Sequence, residues 1–69
     1  MTNKEVATLL NLDHSTVSKY RNGTRSPSFH VMFEIEKHLD WPLENQIVAL
    51  TEGVYAPYLE GRIARLANG

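Results

Sequence analysis

His14 and Ser15 stand side by side, and a histidine next to a serine is the first pair to test for nucleophilic chemistry. They lack what that chemistry needs. Acyl transfer requires an imidazole oriented by a carboxylate and an oxyanion hole held in a cleft, and adjacency along a helix supplies neither. His14, His30 and His38 have no spacing that resembles a metal site, and no cysteine joins them. No catalytic residue, metal site, cofactor or small-molecule substrate is expected. A different chemistry fits residues 14–33, a window without Asp or Glu that holds Lys19, Arg21 and Arg25 among Ser15, Ser18, Asn22, Thr24 and Ser28. Cations and hydroxyl or amide donors, free of carboxylates, suit a surface that lies against a polyanion. The bland alternative is a merely soluble face that lacks acids by chance.

The charge is local rather than global. The chain has 69 residues and a formal net charge of −1. Residues 1–13 carry −1, residues 14–33 carry +3, residues 34–60 carry −5 and residues 61–69 carry +2. Binding by one face depends on that distribution more than on its sum. A chain this short without cysteine is expected to form one domain over residues 1–69, held by packing alone. No long apolar run and no signal-peptide pattern is present, so a soluble cytoplasmic protein with no membrane partner is expected.

The elements that position the basic window read as helices, with no convincing strand. Thr2 and Glu5 form a capping-box pattern ahead of Val6, Leu9 and Leu10. Asn11 suits a left-handed helix end, and the Asp13 side chain is expected to cap a second helix whose apolar side is Val17 and Tyr20. Asn22 and Gly23 stop it. Ser26 or Ser28 with Pro27 opens a third helix over residues 27–39, with Phe29, Met32, Phe33 and Leu39 as its buried stripe. Leu43, Ile47 and Leu50 predict a fourth over residues 43–52. Leu59, Ile63 and Leu66 predict a fifth over residues 57–67, entered at Pro57. Trp41 and Tyr20 are expected as core anchors.

Two short helices joined by three residues are the layout of a helix-turn-helix, here over residues 2–22, whose second helix lies in the DNA major groove. Ala7 falls where the two helices would cross most closely, and a large side chain there would overpack the contact. His14, Ser15, Ser18 and Lys19 then point away from the small core closed by Val6, Leu10, Leu12, Val17 and Tyr20. With Ala7, the turn from Asn11 to Asp13, the run STVSKY and the segment RNGTRSPS, residues 2–39 resemble the Cro and lambdoid repressor class of helix-turn-helix proteins.

The resemblance implies an all-α bundle, lambda-repressor-like but without the helix that usually precedes the motif. It implies a transcriptional repressor or switch protein, often a homodimer on a pseudo-palindromic double-stranded DNA operator, and commonly phage or mobile-element encoded. Carried over residue by residue, base reading falls to His14, Ser15, Ser18 and Lys19. Phosphate contact falls to Asn3, Asn22, Gly23, Thr24, Arg25 and Ser28, with Arg21 at the rim. Glu36 takes a stripe position that is usually small and apolar, so its carboxylate belongs at the core edge or in a pair. The C-terminal helix either fills the place of the usual first helix or pairs with a second copy. His30 and His38 read as ordinary helix residues, and Arg62 with Arg65 as a solvated face. The alternative function is a protein-interaction module, antitoxin-like or adaptor, that uses the acidic residues 34–60.

Overall fold

The computed structural model describes residues 2–68. They form five helices and no strand: α1 (Asn3–Leu10), α2 (His14–Asn22), α3 (Phe29–Leu39), α4 (Leu43–Thr51) and α5 (Tyr55–Asn68). No helix among the described residues is long and apolar enough to cross a membrane.

The first helix opens on the expected capping box. Glu5 N–H donates to Thr2 Oγ1 at 3.1 Å and Thr2 N–H to Glu5 Oε1 at 3.0 Å, satisfying two donors reciprocally. The same bond from Thr2 holds the Glu5 carboxyl below its ordinary pKa. Asn11 closes the helix in the left-handed region at φ 56°, and Leu12 N–H returns to Ala7 O at 2.8 Å. The second helix starts differently from the expectation. Asp13 is its N-cap residue but makes no side-chain capping bond; its backbone carbonyl instead accepts from Thr16 and Val17 N–H at 3.1 and 3.2 Å.

The core comprises Val6, Ala7 and Leu10 of α1, Val17 and Tyr20 of α2, Val31, Met32, Ile35 and Leu39 of α3, and Tyr55, Leu59 and Ile63 of α5, with Trp41 and Ala49. α1 packs on α2 and α3, and α5 lies across α2, α3 and α4. Leu12, the middle residue of the first turn, is half-buried against this core.

Three features of the packing differ from the apolar pattern. Phe29 and Phe33 are 62% and 53% exposed, because α3 turns its other stripe inward. In α4 the buried positions are Gln46 and Ala49, while Ile47 faces solvent. The fifth helix begins at Tyr55 rather than Pro57, and Pro57 fits its first turn because an N–H there has no intrahelical acceptor. Leu66 is exposed, whereas Leu59 and Ile63 are buried within the chain itself. The Leu59 and Ile63 face of α5 therefore packs into the chain's own core.

Gln46 is satisfied at both ends. Its Nε2 donates to Met32 O at 2.8 Å and Trp41 O at 2.9 Å, and its Oε1 accepts from Tyr55 Oη at 2.7 Å. Trp41 and Tyr55 pack beside it, their ring centroids 4.8 Å apart and their planes tilted by 34°. Glu36 is exposed, and its Oε2 accepts from Leu43 N–H at 2.6 Å, so it caps α4 rather than entering the stripe of α3.

Candidate nucleic-acid interface

Val17 and Tyr20 are buried and fix the inward side of α2. At about 100° per residue, Ser15, Ser18, Lys19 and Asn22 then share an arc of about 100° on the opposite side, with His14 about 40° beyond its edge. Exposure follows that wheel. His14, Ser15, Lys19 and Asn22 are exposed and Ser18 is half-buried. Serine hydroxyls, an amide and an ammonium together offer donors and acceptors for base edges, Lys suiting guanine acceptors.

The end of α2 is tied down so that this face has one shape. Lys19 O accepts from Gly23 N–H and, at 3.0 Å, from Thr24 N–H, closing the helix around Gly23 at φ 83°. Asn22 Oδ1 accepts from Thr24 N–H at 3.0 Å and from Thr24 Oγ1 at 2.7 Å. The amide of Gly23 is therefore spent inside the turn. What Gly23 supplies is the left-handed conformation that a side chain would strain, while the Asn22 Nδ2 group is left to donate outward. Pro27 is buried and pins the loop that follows. Arg25 and Ser28 on that loop are exposed; Ser28 Oγ accepts from Val31 N–H at 3.4 Å, which leaves its own O–H as a donor.

Arg21 and Asn3 are placed otherwise. The Arg21 guanidinium grips Glu60 of α5, Nε to Oε2 and Nη2 to Oε1, both at 2.5 Å, and Nη1 donates to Asn3 Oδ1. This bidentate bond raises the Arg21 pKa and lowers that of Glu60. It joins α1, α2 and α5 at the edge of the α2 face. Arg21 follows Val17 by one helical turn, so its inward lean was legible on the wheel. Its partner, 39 residues on, was not.

The electrostatic outcome is one-sided. Among the described residues, Lys19 and Arg25 are in no ion pair, whereas Arg21 is paired with Glu60, and His38 Nε2 lies 3.3 Å from Glu34 Oε2. No group of His, Cys, Asp or Glu among the described residues could hold a metal ion.

A helix-turn-helix family model matches residues 1–44, which takes in α1, the turn, α2 and α3. The chain belongs to this helix-turn-helix family. Its members are DNA-binding proteins. No curated protein and no solved structure matches the chain.

Proposed function

We propose that this helix-turn-helix protein is a non-catalytic, sequence-specific transcriptional repressor or switch protein of the Cro type, of the kind phages and other mobile elements encode. It works in the cytoplasm and binds a pseudo-palindromic operator as a homodimer. The observation that carries this reading is the outward face of α2, where Lys19 stands unpaired beside Ser15, Ser18 and Asn22 on a helix whose end is locked. Lys19, Ser15, Ser18 and His14 read base edges. Asn22, Thr24, Arg25 and Ser28 hold phosphates and carry no sequence information. Arg21 and Asn3 brace the recognition helix from behind.

The acidic residues 34–60 favour no second reading, because three of the six are engaged within the chain. Glu34 Oε2 lies 3.3 Å from His38 Nε2, Glu36 caps α4 and Glu60 holds Arg21.

Selection of bound duplexes from a random pool, followed by titration at several salt concentrations, tests the proposal. Log affinity should fall with log salt at about −0.9 per neutralised phosphate. Lys19→Ala should cost about 1–3 kcal/mol on the selected site and relax one base pair per half-site. Arg25→Ala should instead weaken selected and random DNA alike and flatten the salt slope by about one unit. Equal losses on every duplex for Lys19→Ala would show that α2 does not read bases through that residue.

A further inference from the structure

Tyr20 is only 4% exposed, yet its hydroxyl bonds to nothing among the described residues. The hydroxyl nearest to hand, that of Tyr55, is committed to Gln46. No sealed side-chain N or O atom among those residues lacks a partner, so the Tyr20 oxygen opens to solvent. The opening is a cleft of about 120 Å³ between the end of α2 and the start of α5, walled by Tyr20, Gly23, Arg25, Ser26, Leu50 and Ala56. A largely buried phenol without a partner is uncommon in a folded chain, because its O–H is a donor that needs an acceptor.

The rest of the cleft offers donors as well. Arg25 and Ser26 bring a guanidinium and a hydroxyl, and no lining residue is acidic. The first turn of α5 adds backbone amides. Val54 and Tyr58 N–H are bonded, but those of Tyr55 and Ala56 have no acceptor among the described residues, and Pro57 has no N–H. Gly23 brings that turn close, since a Cβ built on it would lie 3.6 Å from Ala56 Cβ. The start of a helix carries partial positive charge and favours anions. A water accepts only two hydrogen bonds, too few for this many donors, whereas a tetrahedral oxyanion accepts from all of them. The volume is about that of four liquid waters, enough for an ion the size of phosphate.

We propose that this cleft binds a small free oxyanion of the phosphate class, held by Tyr20 Oη, Ser26 Oγ and the α5 amides with Arg25 as its counter-charge. The site is built partly from the α4–α5 junction and exists without DNA. Its regulatory consequence rests on the reading of Arg25 as a DNA-phosphate contact: a bound anion occupies that guanidinium and weakens DNA binding.

The test titrates inorganic phosphate into the full chain at constant ionic strength, with chloride as the balancing ion, and follows the backbone amides by nuclear magnetic resonance. Ser26 and Ala56 should move together along one saturable curve. Tyr20→Phe keeps the ring in the core and removes only the hydroxyl, while Ser26→Ala alters an exposed loop residue that has no part in folding the core. Each should weaken phosphate at least about threefold, and Arg25→Gln at least about tenfold. In the parent, saturating phosphate should also lower affinity for a duplex at fixed ionic strength. Shifts that do not saturate, or that are equal in the parent and all three variants, would mean an adventitious ion only and overturn the proposal. A duplex that moves the Ser26 and Ala56 amides while free phosphate does not would place a DNA phosphate there and overturn it too. A chain that saturates with phosphate but binds no duplex would uphold the site and overturn the DNA reading alone.

Discussion

Gln46 shows how one buried side chain can hold three elements in place. Its amide serves the carbonyls of Met32 and Trp41 and receives the Tyr55 hydroxyl, and it has no exposed surface. Gln46→Ala removes three hydrogen bonds, leaves buried partners unpaired and opens a cavity. It should cost about 2–4 kcal/mol of unfolding free energy. Tyr55→Phe leaves only the Gln46 Oε1 unpaired and should cost about 1–2 kcal/mol. Because both act on one network, the double variant should lose less than the sum of the two, as denaturant titration would show. Burial raises the Tyr55 pKa, so the folded state resists losing that proton. Its contribution is complete below the unfolded value of about 10 and is lost as pH rises beyond it. Alkaline destabilisation should therefore be weaker in Tyr55→Phe than in the parent chain, and equal alkaline slopes would place the hydroxyl in water.

Among the helices, the Arg21–Glu60 bridge decides how α2 is held against α5. The Glu60 carboxyl is lowered by its bond to Arg21, so the bridge stabilises the fold above the ordinary carboxylate pKa and fades as pH falls through the lowered value. The pair is partly exposed, with side-chain exposures of 21% and 48%, which limits it to about 1 kcal/mol or less. Glu60→Gln should lower the melting temperature at pH 7, and the difference from the parent should shrink as pH falls below the ordinary carboxylate range; a pH-independent difference would mean that the carboxylate does not act through its charge. Freed from Glu60, Arg21 could also reach phosphate, and the salt slope of DNA binding should then steepen by up to about one unit. An unchanged slope would keep Arg21 as a brace alone. Local signals made α1, the turn and α2 legible, since a capping box, Asn11, Gly23 and the Val17–Tyr20 stripe are all short-range. α3 was harder because it carries two apolar stripes, and periodicity cannot choose between Phe29 with Phe33 and Val31 with Ile35. α4 misled for a related reason, as an apolar Ile47 outranks Gln46 until the carbonyls that Gln46 serves are known. Glu60 as a partner for Arg21, and Tyr55 for Gln46, were invisible because nothing local records which distant helix comes near.

At the scale of the whole molecule, α5 has two unlike faces. Its inner face places Leu59 and Ile63 in the core with Tyr55 at its start, while its outer face lines an open groove with Tyr58, Gly61 and Arg65. Burying three such side chains contributes roughly 1.5–3 kcal/mol each, against about 5–15 kcal/mol for the net stability of a small domain. A chain ending at Gly53 should therefore lose its cooperative thermal transition and most of its helical circular dichroism. Loss of DNA binding would follow as a consequence, although α1 and α2 remain in the sequence. Point substitutions divide the two faces more finely. Leu59→Ala should destabilise the fold by about 2–5 kcal/mol through the cavity it leaves between α5 and the helices beneath. Tyr58→Ser, on the exposed face one residue earlier, should leave the melting temperature of the dilute monomer within a few degrees of the parent. A truncated chain that still melts cooperatively would show that α1 to α4 close a core without α5. Equal destabilisation by Leu59→Ala and Tyr58→Ser would show that the helix is rotated from the orientation described.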